Sequence, residues 1–286
     1  VTGGTIGNMT FTPSKWKRPL TGKKIVLTRA RHQVKSLQFR LRQYGATPIA
    51  IPSIEIVDPP DGKEHLKRIL QEEVITSSGT QAFLKYEWLI FTSSNGVDRF
   101  MQSVRHWERQ CPAHLHMDKV KIAVIGPGTL RRLRRWGLRP EIQATDHLAE
   151  GLLEKFQAIE PDNQNEFEGR ILLPRAAKAR NILPDTLRNM GWAIDDVPVY
   201  QTIIPKVEKG SQDLLSSADA IVFMSSSTAQ NFVQMFGKEY LPEVVVSIGA
   251  ITTQTILNLG FIPTIEASPS SVKGIVTGLL NHYSTN

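Results

Sequence analysis

Cysteine is almost missing from this chain. Cys111 is the only one, so no disulfide can form within it and stability must come from packed cores. That usage fits a reducing compartment, the cytoplasm or, for a plant source, the plastid. Long apolar runs are missing as well. Nothing approaches the roughly 18 residues of a helical membrane span, so no membrane partner is expected. Val1–Asn8 has neither a charged head nor an apolar core. The first 18 residues read as an N-terminal extension, partly a leftover stretch before Met9 and not a secretory signal, although a cleaved organelle-targeting peptide would leave no trace. Charge is unbalanced only mildly, at +7. A basic surplus raises the local concentration of anionic ligands without choosing among them.

What is present is a duplication. Lys24–Ala30 (KIVLTRA) matches Arg170–Ala176 (RILLPRA), and Ile90–Asn95 (IFTSSN) matches Val222–Ser227 (VFMSSS). Ile125-Gly126 matches Ile248-Gly249, and Thr129, Gly137 and Pro140 then meet Thr252, Gly260 and Pro263. The period is far too long for a solenoid and implies two similar domains. Paired domains make a cleft, where small ligands commonly bind.

Each half reads as strand, helix, strand. Lys24–Thr28 is a short β-branched run, His32–Tyr44 has helical spacing of Val34, Leu37 and Leu41, and Ala46–Ile51 is the next strand. The same unit returns at Ile171–Pro174, Asn181–Met190 and Ala193–Tyr200. Further buried strands are predicted at Trp88–Thr92, Lys121–Ile125, Ala220–Met224 and Val244–Ile248. The alternation predicts an α/β fold: two similar doubly wound parallel-sheet domains, with loops gathered at the strands' carboxyl ends. Ile51–Pro60 and Val197–Lys206 are proline-bracketed and extended, a candidate two-stranded linker between the domains. Gln71–Tyr86 and Ala158–Glu168 read as surface loops.

The loops carry hydroxyls and glycines. Ser93-Ser94 and Ser225-Ser226-Ser227 each open a helix, where side-chain oxygens accept first-turn amides. No Gly-x-Ser-x-Gly elbow surrounds them, so capping or ligand hydrogen bonding is favoured over covalent catalysis. Gly126-Pro-Gly-Thr129 begins like a dinucleotide fingerprint, but Arg131 stands where the third glycine should be, which argues against NAD or FAD. Thr129, Thr252 and Thr253 at helix starts remain candidates for holding an anion, beside simple capping. Arg29 and Arg175 follow the first strand of each half and suit carboxylates, unless they are plain surface charges. Cys111, His114 and His116 lack a fourth ligand for zinc. The basic cluster Arg131–Arg135 has no interleaved aromatics, so a solvated helix face is favoured over nucleic acid. Tyr200 sits in the second extended segment, where a phenol either packs between domains or donates into a site.

Together these segments resemble the uroporphyrinogen-III synthase family. The resemblance rests on Leu27–Ala30, Ile90–Gly96, Ile125–Thr129, Val197–Tyr200, Phe223–Ser227, Ile248–Thr253 and Ser268–Ser270, in that order, over nearly the whole chain. It implies crossed connectivity: residues 19–52 plus 200–286 in one domain, and 53–199 in the other. It implies an enzyme that closes the linear tetrapyrrole hydroxymethylbilane to uroporphyrinogen III with inversion of the terminal ring, as a monomer using no cofactor and no metal. Tyr200 becomes the candidate catalytic proton donor. Arg29, Ser93, Ser94, Gly126, Thr129, Arg175, Ser225, Ser226, Ser227, Thr252 and Thr253 become candidate substrate contacts. The competing readings are a non-catalytic two-domain binder of small anionic ligands and an enzyme acting on nucleotides.

Overall fold

The structure, a computed structural model, describes residues 18–71, 73–76, 79–82, 86–109, 120–144, 148–161 and 169–284. The chain divides into two compact units, one holding residues up to Glu55 and from Ile204 onward, the other Ile56–Ile203.

Unit 1 contains β1 (Lys24–Leu27), α1 (Lys35–Gln43) and β2 (Thr47–Ala50) from the start of the chain. From its end come α7 (Ser211–Ser216), β11 (Ala220–Phe223), α8 (Ser226–Phe236), β12 (Val244–Ser247), α9 (Ala250–Asn258), β13 (Ile265–Glu266) and α10 (Val272–Ser284). The sheet order is β13-β12-β11-β1-β2, with every pairing parallel. Alternation along the strands explains how both faces are covered. Ile25, Leu27, Val222 and Val246 pack with Leu37, Leu41 and Leu279 on one face. Val26, Ile221, Phe223 and Val245 pack with Phe232, Phe236 and Ile256 on the other.

Unit 2 contains β3 (Glu55–Val57, at the boundary), α2 (Gly62–Gln71), β4 (Glu73–Thr76), β5 (Gly79–Ala82), β6 (Trp88–Phe91), α3 (Ser94–Glu108) and β7 (Lys121–Val124). Then follow α4 (Pro127–Arg135), β8 (Ile142–Gln143), α5 (Ala149–Phe156), β9 (Arg170–Ala176), α6 (Ile182–Asn189) and β10 (Ala193–Ile203). Its main sheet runs β3-β10-β9-β6-β7-β8, parallel from β10 to β8. One face packs Trp88, Ile90, Ile171 and Leu173 against Phe156, Leu183 and Leu187. On the other, Phe91 meets Phe100 of α3 edge to face, ring centres 5.6 Å apart.

The repeat aligns β6, β7 and β8 with β11, β12 and β13, and β9 and β10 with β1 and β2. The order β8-β7-β6-β9-β10 in unit 2 therefore reproduces β13-β12-β11-β1-β2 in unit 1. Each sheet combines strands from both halves of the sequence, so a cut between the two repeats would divide both sheets. The chain changes unit at Glu55–Ile56 and again at Ile203–Ile204. These points lie in β3 and at the end of β10, which are neighbours in the sheet.

One segment differs from its sequence reading. Gln71–Tyr86, read as a loop, contains the antiparallel pair β4–β5, with Val74 opposite Gln81 and Ile75 opposite Thr80. Val197–Lys206, read as extended, is strand as far as Ile203, and β10 is hydrogen-bonded to β3 of the other extended segment, Ile51–Pro60, as a two-stranded linker requires.

Candidate functional site

In unit 2 the candidate residues collect where the parallel strands end. Ser93 follows β6 in extended conformation, and its Oγ accepts the Gly96 backbone N–H at 3.0 Å, capping α3. The first turn of α3 lies tight against β9, since a Cβ on Gly96 would stand 2.9 Å from the Pro174 carbonyl oxygen. Beyond it, β10 carries Tyr200 opposite Ala176, held by a 2.8 Å bond from the Ala177 N–H to the Tyr200 carbonyl. The Tyr200 ring is 7% exposed, and its hydroxyl lies 3.0 Å from Ser93 Oγ. When Ser93 donates to the phenol oxygen, the phenol proton is free to be donated onward. The amide donating into Ser93 Oγ polarises that relay in the same sense.

The neighbouring loop brings α4 beside α3. Gly126 adopts φ 77°, a left-handed conformation that suits glycine, and a Cβ on Gly128 would stand 3.5 Å from Ser94 Oγ. Thr129 is buried within this packing. Arg175, at the end of β9, is 9% exposed. Its Nε donates to Asp196 Oδ1 at 2.6 Å and its Nη2 donates to Asp196 Oδ2. Nη1 reaches the Arg180 carbonyl at 2.7 Å, and Nη2 also donates to Asn181 Oδ1 at 2.8 Å. This guanidinium is therefore fixed inside the fold, where it braces the loop leading into α6.

Unit 1 repeats the arrangement. Ser225 caps α8 in a reciprocal capping box with Thr228, and Ser225 Oγ lies 3.0 Å from Ser227 Oγ. Thr255 Oγ1 donates to Ser226 Oγ at 2.7 Å, tying α9 to α8. Thr252 is buried, and Thr253 Oγ1 lies 2.6 Å from Ser247 Oγ. Arg29 follows β1. Burial lowers its pKa from the usual arginine value, and among the described residues no ion pair or hydrogen bond meets its guanidinium. A half-buried cation without a counter-charge is costly unless an anion completes it.

Other functional groups were silent in the sequence. Asp196 orients Arg175 because β10 pairs with β9 so that Pro198 opposes Arg175, which puts Asp196 diagonally on the same face. Buried Ser53 donates to the Thr28 and Thr228 carbonyls at 3.2 and 2.8 Å. Nothing in their composition marks either residue; only the repeat, by aligning β9 with β1, could have directed attention to these loops. Cys111, His114 and His116 lie outside the described residues. Among the described residues no cluster of three or more metal-ligating side chains occurs, and no helix is long and apolar enough to cross a membrane.

Two cavities of unit 2 contrast in their lining. One of about 460 Å³ lies among α2, α3 and β10, lined by Lys67, Gln102, His106 and Trp107, and includes none of the candidate residues. A smaller one of about 240 Å³ includes Arg175 and Thr92, the residue preceding Ser93.

Comparison with known proteins identifies the family and the fold. The family model for "Uroporphyrinogen-III synthase HemD" matches residues 35–277. A putative uroporphyrinogen-III synthase of Methanocaldococcus jannaschii is 26% identical over 252 residues, 85% of this chain and 92% of that protein. A uroporphyrinogen-III synthase of Synechococcus elongatus is 27% identical over 275 residues, 92% of this chain and 96% of that protein. Among solved structures, uroporphyrinogen-III synthetase of Helicobacter pylori shares the fold, with a TM-score of 0.57 at 17% identity, covering 91% of this chain and 99% of that one.

Proposed function

This chain belongs to the uroporphyrinogen-III synthase family of cyclising lyases, and on that ground we propose that it converts hydroxymethylbilane to uroporphyrinogen III. The observation that carries the reading is the family match across residues 35–277. The polar edges support it. They offer hydroxyls, backbone amides and an unpaired arginine, which suit a substrate rich in carboxylates.

The reaction is a net loss of water with no change of oxidation state. The terminal C–O bond breaks as the adjacent pyrrole nitrogen pushes its electron pair outward, leaving an azafulvenium-type cation. Tyr200 donates the proton that lets hydroxide leave as water. The substituted carbon of the last ring attacks the cation, giving a spiro intermediate. That intermediate reopens and recloses with the ring inverted, and the proton lost on rearomatisation restores the phenol or passes to solvent. A phenol is a weak acid, so holding the chain in a reactive curl contributes most of the acceleration. Candidate contacts are Ser93, Ser94, Gly126 and Thr129 on unit 2, and Arg29, Ser225, Ser226, Ser227, Thr252 and Thr253 on unit 1. Arg175 positions the loop beside them. The reading includes a monomer working in a reducing compartment, the cytoplasm or a plastid.

The test is isomer analysis. Hydroxymethylbilane closes in buffer to the type I isomer, without inversion. The protein should yield the type III isomer; a product mixture equal to that of buffer would dismiss the proposal and favour a non-catalytic binder.

A further inference from the structure

The 240 Å³ pocket of unit 2 has a lining unlike the hydroxyl-rich loops beside it. Its rim carries Leu148 and Ile182, which are 60% and 46% exposed, and its floor includes Ile125 and Leu183. Two large apolar side chains left in water beside one concavity lose the stabilisation that burial would give them. Arg180 and Glu150 complete the rim. Arg180 is exposed, and among the described residues its guanidinium has no ion pair or hydrogen bond. Its backbone is not free. The Arg180 carbonyl and the Asn181 side chain are gripped by Arg175, which Asp196 holds in turn. The loop thus presents Arg180 and Ile182 from a rigid base.

The volume is below the roughly 300–1,000 Å³ of drug-sized ligand sites, so the pocket takes one small ring rather than a whole tetrapyrrole. Its apolar walls suit a flat, weakly polar ring. Its single unpaired cation suits one carboxylate, and Glu150 disfavours a second on its own side. We propose that this pocket seats one pyrrole ring of the linear substrate, with Leu148 and Ile182 against the ring and Arg180 donating to one of its carboxylates. The proposal rests on the function inferred above and adds to it a subsite with residues of its own.

The test measures kcat and KM for type III formation by the full chain at low and moderate salt. Leu148→Ser with Ile182→Ser together should raise KM about tenfold, as expected for losing one apolar side chain's worth of burial, with a smaller fall in kcat. Arg180→Gln should raise KM by a similar factor and flatten its salt dependence. Arg188→Gln removes the same charge from α6, where Arg188 pairs with Asp185, and should leave KM unchanged. Glu150→Gln should lower KM two- to threefold, on the order of a single weak charge repulsion, and misfolding cannot imitate that gain. KM values within twofold of the parent for both Arg180→Gln and the double variant would overturn the subsite while leaving the proposed function intact. A parent chain forming no type III isomer would overturn both.

Discussion

Tyr200 and Ser93 share one hydrogen bond of 3.0 Å, yet they do different work, and substitution separates them. Tyr200→Phe keeps the buried ring and removes only the hydroxyl. Its kcat should fall about tenfold, below the roughly hundredfold that usually marks general-acid catalysis because a phenol is a weak acid, while KM and the melting temperature stay close to the parent's. Equal kcat in variant and parent would remove Tyr200 from the chemistry. Ser93→Ala removes the α3 cap as well, so it should cost about 1 kcal/mol of stability and also reduce kcat; calorimetry beside the kinetics reads both. At this scale the sequence was partly legible. Serines ahead of an apolar helix announce caps, and Ser93 and Ser225 are caps. The occupation of Arg175 was not legible, because its partner Asp196 is set by strand register and no local pattern encodes register.

Strands and helices were easier to read where burial imposes a pattern. β1, β6, β7, β9, β11 and β12 are short apolar runs because both faces of a parallel sheet are covered. The β4–β5 pair was missed because Glu73–Ala82 mixes β-branched residues with Ser, Gly and Gln and shows no clean alternation. How elements are tied together was also hidden. The entry to β1 is fastened to the entry to β11 by Asp219, whose Oδ2 accepts the Lys24 N–H at 2.7 Å and whose Oδ1 accepts Lys23 Nζ at 3.0 Å. Tyr283 of α10 adds a bond to the Asp219 carbonyl at 3.2 Å. Burial pushes the Asp219 carboxyl up, but the Lys24 amide and the Lys23 ammonium outweigh it and hold its pKa below the ordinary value. A depressed folded pKa means that the unfolded chain binds the proton more readily. The stabilisation is then complete above the unfolded value of about 3.9 and is lost as pH falls through the folded one. Asp219→Ala should therefore melt lower than the parent at pH 7, on the order of 2–4 °C if the loss is near 1 kcal/mol. The gap should narrow below about pH 4. A gap that persists unchanged at pH 3 would show that the ionised carboxylate is not what fastens these strands.

For the molecule as a whole, the crossed course of the chain makes the two units unequal in one respect. Unit 1 is assembled from both ends of the chain, whereas unit 2 is continuous from Ile56 to Ile203. The continuous unit has its own sheet, both faces of which carry buried side chains from its own helices. At this length a chain can bury enough surface to fold alone. A fragment spanning residues 55–203, which keeps β3 beside β10, is expected to fold cooperatively, with helical circular dichroism and a single denaturant transition. It keeps the Ser93–Tyr200 pair and the Arg180 pocket. It lacks Arg29 and the Ser225–Ser227 and Thr252–Thr253 loops, which the proposed function requires for holding the substrate's carboxylates. Supplied with hydroxymethylbilane, it should therefore give only the type I isomer formed in buffer. A folded fragment that made the type III isomer would confine the chemistry to unit 2 and remove the unit 1 loops from the mechanism. A fragment that failed to fold would show instead that the boundary at Glu55 and Ile203 cuts through a single cooperative structure.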